Sequence, residues 1–282
     1  MTACMLFHRM PATVTSGSPA FQLVSDALPC DDITLTRLGA LVLTRSFNSI
    51  EFHFRVELPC RRYMKGAQDI ESYRGRLQGK AKAELYAKRF EQGSRKRIDQ
   101  REQRAVRKIF SELIECRSVL DVPSGAGRFL GTLSQDGRRV IEVDAAFEIL
   151  EHARDKAART GTDTSVIQGD ASCLPFADGV VDCVFSNRLL HHILVPGERQ
   201  AILREFHRVC RRWAVVSFFN YKGMGRIRTL LKRLKGRQPP YAKQPTLEAF
   251  SAEAVQSGFH VQAVVPTGLP WVSQKYFVLE KA

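Results

Sequence analysis

Three aspartates stand where short apolar runs end: Asp121 after Val119-Leu120, Asp144 after Val143, and Asp170 just past Val166-Ile167. Beyond the first of them lies Ser124-Gly125-Ala126-Gly127, and Phe129, Leu130 and Leu133 then take up helical spacing. A strand, a tight glycine turn and a helix start bring backbone N–H groups to a nucleotide-like ligand. A dinucleotide fingerprint would need a third glycine where Leu130 stands, and Asp121 would repel a pyrophosphate held close to it. Carboxylates at these positions suit a positively charged ligand instead. Further on, Ser186-Asn187-Arg188 ends another apolar run and His191-His192 follows, a pair able to take a proton from an acceptor.

Those residues need elements to hold them. Strands are predicted at 118–122, 139–143, 165–169, 180–186 and 213–219, with helices at 126–133, 146–158 and 198–210 between them. This alternation predicts a doubly wound parallel sheet with helices on both faces, its ligands at the carboxyl ends of the strands, where all three aspartates fall. A helix from Leu247 to Ser257 and two strands, Phe259 to Val264 and Lys275 to Leu279, close the pattern. Upstream, Gly79 to Cys116 reads as helix with a break near Gly93-Ser94. Its second part keeps Ile98, Ala105, Ile109, Phe110 and Leu113 on one face and crowds Arg95, Lys96, Arg97, Arg101, Arg104, Arg107 and Lys108 on the rest, as a solvated face or an anion-attracting wall. Before that, Ile50, Phe52, Phe54, Val56 and Leu58 alternate with polar residues, a half-buried strand whose hairpin partner is Leu41 to Thr44. Three regions are therefore expected: an N-terminal extension at 1–63, a hairpin or disordered; a basic helical cap at 64–114; and a main domain at 115–282 with a basic insertion at 221–245.

With 282 residues, 44% of them hydrophobic, the chain can bury a full α/β core with one appendage. The formal charge of +14 implies an acidic partner, whether nucleic acid, an anionic membrane surface or an anionic small molecule. The excess gathers in two stretches, Arg61 to Lys108 and Lys222 to Lys243. In the second, Ile227, Leu230, Leu231 and Leu234 face away from Arg226, Arg228, Lys232, Arg233, Lys235 and Arg237, which reads as a basic amphipathic helix. Seven cysteines without a C-x-x-C pair argue against a disulfide framework or structural zinc and for a reducing cytosol. No metal is expected, because no His/Asp/Glu cluster shows ligand spacing. No apolar run has membrane-spanning length, and the first residues lack a secretory pattern.

The blocks VLDVPSGAGRF, VIEVDAAFEIL and QGDASCLPFADGVVDCVFSNRLLHHI, with the terminal strand pair, resemble class I S-adenosylmethionine-dependent methyltransferases of the type 11 group, similar to the quinone-biosynthesis methyltransferases. The resemblance covers roughly residues 115–282. It implies a seven-stranded, mostly parallel Rossmann-like sheet with the last strand antiparallel. It also implies the cofactor S-adenosylmethionine, whose ammonium, sulfonium and adenosine answer to the carboxylates. Carried over by position, Asp121, Ser124, Gly125 and Gly127 border the methionine moiety, Asp144 holds the ribose hydroxyls, Asp170 and the Ala171 N–H receive the adenine, and Asn187 lies near the reacting centre. Pro123 replaces the family's first glycine, so N–H groups must come from Ser124 onward.

His191 and His192 are the candidate bases, with Phe219 and Tyr221 beside the acceptor. Gln238-Pro239-Pro240-Tyr241 resembles a nucleic-acid amino-methyltransferase signature, yet it lies far from the end of the fourth strand, where that motif belongs. The expected function is methyl transfer to a small-molecule or lipid-associated, anionic acceptor. The alternatives are an RNA methyltransferase and a non-catalytic S-adenosylmethionine-binding scaffold. A cytoplasmic protein, touching an anionic membrane peripherally, fits this reading.

Overall fold

The structure is a computed structural model that describes residues 42–46, 49–53, 80–90, 92–219, 245–268 and 272–282. Strands β1 (Val42–Ser46) and β2 (Ser49–His53) form an antiparallel hairpin with Ser46 opposite Ser49; the expected continuation of the second strand over 54–58 lies outside the described residues. Helices α1 (Lys80–Ala87) and α2 (Gly93–Glu112) come next. The main sheet then alternates with helices: β3 (Ser118–Asp121), α3 (Leu130–Leu133), β4 (Arg139–Asp144), α4 (Phe147–Thr160), β5 (Thr164–Gln168), β6 (Val181–Ser186), α5 (Pro196–Val209) and β7 (Cys210–Phe219). Helix α6 (Leu247–Gln256), β8 (Phe259–Pro266) and β9 (Gln274–Lys281) complete it.

Seven strands lie in the order β5-β4-β3-β6-β7-β9-β8. The pairs from β5 to β7 are parallel, and β9 runs antiparallel to both its neighbours. This is the expected doubly wound, mostly parallel sheet with an antiparallel last strand. Both faces of its centre are covered, so neighbouring residues of one strand serve different layers. Leu120, Ile141, Val184 and Val216 pack on one side with Ile202, Leu203 and Phe206 of α5 and Phe250 of α6. Val119, Val140, Phe185 and Val215 pack on the other with Val106, Ile109 and Phe110 of α2 and Leu130 and Leu133 of α3. Phe185 anchors that layer, with the Phe129 ring 4.9 Å away at 66° and Phe110 at 6.2 Å. Each such buried ring contributes roughly 2–3 kcal/mol of transfer free energy. Helix α2 is thus one layer of the core itself, and its apolar stripe explains why.

Two polar devices fix the frame. Asp182 accepts the Arg117 and Ser118 N–H groups and the Ser118 hydroxyl, pinning the start of β3 to β6. Arg199 of α5, fully buried, is bidentate to Glu253 of α6 at 2.8 and 2.6 Å and also donates to the Ile193 carbonyl. Cys116, Cys183 and Cys210 are free and buried. The basic segment at 221–245 falls almost wholly outside the described residues.

One local expectation fails. The helix predicted at 126–133 is present only as Leu130–Leu133, because Gly125 and Gly127 take φ of +58° and +66° and turn the chain before it can wind. A single helical turn has little dipole to offer a ligand. Whatever the glycine turn holds, it holds through individual N–H groups and neighbouring side chains.

Candidate functional site

The register of the sheet gathers the acidic residues at one end. Asp121 lies opposite Glu142 across β3 and β4, and Asp144 lies opposite Gln168 of β5, two residues before Asp170. Side chains at 142 and 144 share a face, and so do register partners, so Asp121, Glu142 and Asp144 point into the same layer. All three are buried.

Their surroundings differ. Asp144 is satisfied: one oxygen accepts the Gly125 N–H and the other the Ala146 N–H, both at 3.0 Å, so it ties the glycine turn to the start of α4. A carboxylate has lone pairs beyond these two, so this bracing leaves acceptor capacity for a ligand hydroxyl. Burial raises its carboxyl to about 6, against the lowering effect of those N–H groups. Asp121 has no hydrogen-bond partner on either oxygen, and burial, then the neighbouring Glu142, hold its carboxyl well above the usual carboxylate range. Glu142, likewise without a partner on either oxygen, is pushed up by burial to about 8. The hydroxyls of Ser124 and Ser186 are buried and unpartnered as well.

The turn itself spends its first N–H groups on β4. Ser124 N–H donates to the Val143 carbonyl at 2.8 Å and Gly125 N–H to Asp144, so the donors expected from Ser124 onward begin effectively at Ala126. The Val122–Pro123 peptide is cis. A Cβ on Gly125 would lie 3.3 Å from Tyr86 Cε1 of α1, and one on Gly127 would lie 3.3 Å from the Ala153 backbone in α4. Lys156 of α4 braces the turn from behind, donating to the Gly127 carbonyl at 2.6 Å.

Gly169, whose N–H donates to the Asp144 carbonyl, leads into Asp170. One Asp170 oxygen accepts the Ser172 N–H at 2.8 Å and its hydroxyl at 2.6 Å, while Ala171 packs partly buried against the core. Asn187, buried after β6, accepts on its side-chain carbonyl the Gln274 amide N–H at 3.1 Å and the Tyr276 hydroxyl at 2.9 Å, both from the reversed strand β9. His191 is buried with its ring 3.9 Å from that of His192 and 4.3 Å from that of Phe219, which ends β7. The two histidines and Phe219 therefore form one cluster beside the ends of β6 and β7. Tyr221 lies outside the described residues.

The site also contains residues that motif reading passes over. Glu102, on the inner face of α2 and 1% exposed, pairs with both Arg128, next to Gly127, and Arg188, next to Asn187. Arg128 is further held by Asp99 at 3.1 Å and lies over the Phe90 and Phe129 rings at 4.2 and 4.3 Å. Arg188 takes a positive φ of 63°, donates its N–H to Ser217 and lies 5.5 Å from the Phe219 ring centre. One buried carboxylate thus joins the glycine turn to the loop after β6. Its signal was available: Glu102 falls on the stripe of Ile98, Ala105 and Ile109, where an acidic residue demands a partner.

The buried, unpartnered oxygens of Asp121 fit a cationic ligand with hydrogen-bond donors, and Asp144 and Asp170 extend the acidic rim along two further strands. The family of the methyltransferase domain matches residues 119–212. A malonyl-[acyl-carrier protein] O-methyltransferase of Hamiltonella defensa is 33% identical over 112 residues, 40% of each chain. An uncharacterized protein of Mycobacterium bovis is 31% identical over 140 residues, 50% of this chain and 48% of its own. The chain thus spans half or less of the length of these curated relatives. Among solved structures, magnesium protoporphyrin IX methyltransferase from Synechocystis with bound S-adenosylhomocysteine superposes with a TM-score of 0.60 at 18% identity, covering 76% of this chain and 100% of that one. The PH0226 protein of Pyrococcus horikoshii gives 0.52 at 22% identity, covering 64% and 89%. At those identities the structures speak for the fold, the Rossmann-like sheet of S-adenosylmethionine-dependent methyltransferases, and the matched segment shows that residues 119–212 are a methyltransferase domain.

Proposed function

We propose that this protein transfers a methyl group from S-adenosylmethionine to a small-molecule, lipid- or carrier-borne acceptor bearing negative charge. The observation that carries the reading is the buried, unpartnered carboxyl of Asp121 in line with Asp144 and Asp170 along one edge of the sheet. Asp121, with Ser124, Gly125 and Gly127, would hold the methionine moiety, Asp144 the ribose hydroxyls, and Asp170 and Ala171 the adenine. The donor supplies a methyl on a sulfonium whose charge vanishes on transfer, so the protein's task is alignment and exclusion of water.

On the acceptor side stand Arg188, Phe219 and the His191–His192 pair. Arg188 offers charge to an anionic acceptor, Phe219 offers an apolar face, and a histidine accepts the proton of a hydroxyl nucleophile. Asn187 positions the loop between them through its bonds to β9. Acceptors among similar proteins support this class: one relative acts on malonyl-[acyl-carrier protein] and one structural neighbour on magnesium protoporphyrin IX. Isothermal titration with S-adenosylmethionine, followed by incubation with labelled donor and fractionated extract, tests both halves. Label entering a small-molecule or lipid fraction is the expected result, and absence of donor binding would end the reading.

A second reading, RNA as acceptor, is favoured by α2, whose exposed Arg97, Arg101, Arg104, Arg107 and Lys108 form no ion pair among the described residues. Tight, salt-steep retardation of bulk tRNA or rRNA would favour it. A cytoplasmic protein resting on anionic membrane is the setting we propose, and salt-sensitive binding to anionic but not neutral liposomes tests the membrane contact.

A further inference from the structure

Glu142 has no role in the scheme above, yet it occupies the middle of the donor site. It is fully buried, stands opposite Asp121 in register, and shares its face of β4 with Asp144. One of its oxygens lies 3.7 Å from the point that a Cβ on Gly127 would occupy, and the Ala153 methyl lies 3.3 Å from the same point. The carboxyl therefore sits beneath the glycine turn, wedged between it and α4. Neither of its oxygens has a hydrogen-bond partner, and the same holds for Asp121. The Ser124 hydroxyl faces Glu142 but falls outside hydrogen-bonding geometry.

Among the described residues, no cation near it is left uncommitted. Asp121 faces it from β3 and Asp144 from its own strand, while β5 offers the neutral Val166 in register. Lys156 reaches toward it from α4 but gives its ammonium to the carbonyls of Gly127 and Arg128. Arg128, which acts on Asp121, is committed to Asp99 and Glu102. Two adjacent buried carboxyls with four unpartnered oxygens cannot both carry charge without a cation beside them.

We propose that Glu142 is a positioning residue that couples occupancy of the donor site to release of a proton, neutral beneath the glycine turn without the donor and ionised once a sulfonium-bearing ligand lies beside Asp121. The inference rests on the reading that S-adenosylmethionine binds here. The proton leaves to solvent as the carboxylate forms, so charge balances against the incoming cation. Burial that raises Glu142 to about 8 places this exchange in the neutral range.

The test is calorimetry of S-adenosylmethionine binding to the full chain at pH 7 in buffers of different ionisation enthalpy. The wild type should release about one proton per donor bound, and its affinity should rise up to about tenfold per pH unit between pH 6 and 8. Uncharged at sulfur, S-adenosylhomocysteine should release fewer. E142Q should still bind the donor but release at most half as much proton, with a flattened pH profile. Donor binding with no proton release, or with equal release in wild type and E142Q, overturns the coupling while leaving the donor site intact. Failure of the wild type to bind S-adenosylmethionine at all overturns the donor reading and this inference with it. Should E142Q not fold, the wild type decides: the infrared band of a protonated carboxyl should disappear when donor is added, and its persistence overturns the proposal.

Discussion

Replacing Glu102 by glutamine removes one negative charge and leaves two guanidinium groups that the fold has already drawn out of water. Arg128 and Arg188 are 17% and 23% exposed, and both close on a carboxylate that is 1% exposed. Breaking a buried pair by deleting one partner costs about 3–5 kcal/mol. Here Asp99 keeps one contact to Arg128 at 3.1 Å, and Gln274 keeps a long one to Arg188 at 3.4 Å, which argues for the lower end of that range. A loss of roughly 3 kcal/mol corresponds to a fall in Tm of about 6–12 °C for a chain of this size. Urea and thermal unfolding of wild type, E102Q, R188M and the double variant measure it. The double variant should lose at least about 1 kcal/mol less than the sum of the singles, because the second change removes the stranded charge. A loss below about 1 kcal/mol for E102Q, or strict additivity, would refute the bridging role. Donor affinity should fall with E102Q as well, since Arg128 adjoins Gly127.

Stability of the ligand-free chain should depend on pH in a stated direction. Glu142 and Asp144 have carboxyls raised to about 8 and about 6, so the stability they confer is fully present below the unfolded value and is lost as pH rises through those values. The midpoint of urea unfolding should therefore correspond to about 2 kcal/mol more stability at pH 6 than at pH 8, against a smaller opposing effect of His207, whose imidazole burial lowers. A flat profile over that window contradicts the burial argument. Asp121→Asn should weaken S-adenosylmethionine binding at least tenfold while raising the Tm of the ligand-free chain, and a titration paired with a melt checks both. Gly258→Ala forces a Cβ to within 2.8 Å of His207 Nε2 at a φ of +95° and should destabilise by roughly 1–3 kcal/mol in denaturant unfolding. With a hydroxyl acceptor, His192→Ala and His191→Ala should each be assayed for kcat against pH, and loss of the acidic limb in one of them identifies the base.

The residues legible from order along the chain were those whose chemistry is local. Gly125 and Gly127 sit in left-handed turns, and Asp121, Asp144 and Asp170 close apolar runs, so each announces itself within a few positions. What escaped depends on partners far away in sequence. Glu102 meets Arg128 across 26 positions and Arg188 across 86, and Asn187 meets Tyr276 across 89. Register decided Glu142: nothing in VIEVD by itself says that its side chain will face Asp121, since that follows only when β3 and β4 pair without a slip. The over-long helix at 126–133 arose because Phe129, Leu130 and Leu133 keep helical spacing for one turn, too short a stretch to outvote two glycines. The apolar stripe of α2 is buried as deeply as the strands it covers, which its local spacing of Ala105, Ile109 and Phe110 already indicates.

The reversed strand carries a consequence for how the protein comes into being. Because β9 lies between β7 and β8, the sheet's outermost ribbon has nothing to pair with until the residues from Gln274 onward have been synthesised. The same ribbon brings Gln274 and Tyr276 to Asn187. A growing chain on the ribosome would thus carry the glycine turn and the acidic rim for many seconds before the residues that brace Asn187 arrive, so the loop after β6 is the last of these parts to be fixed.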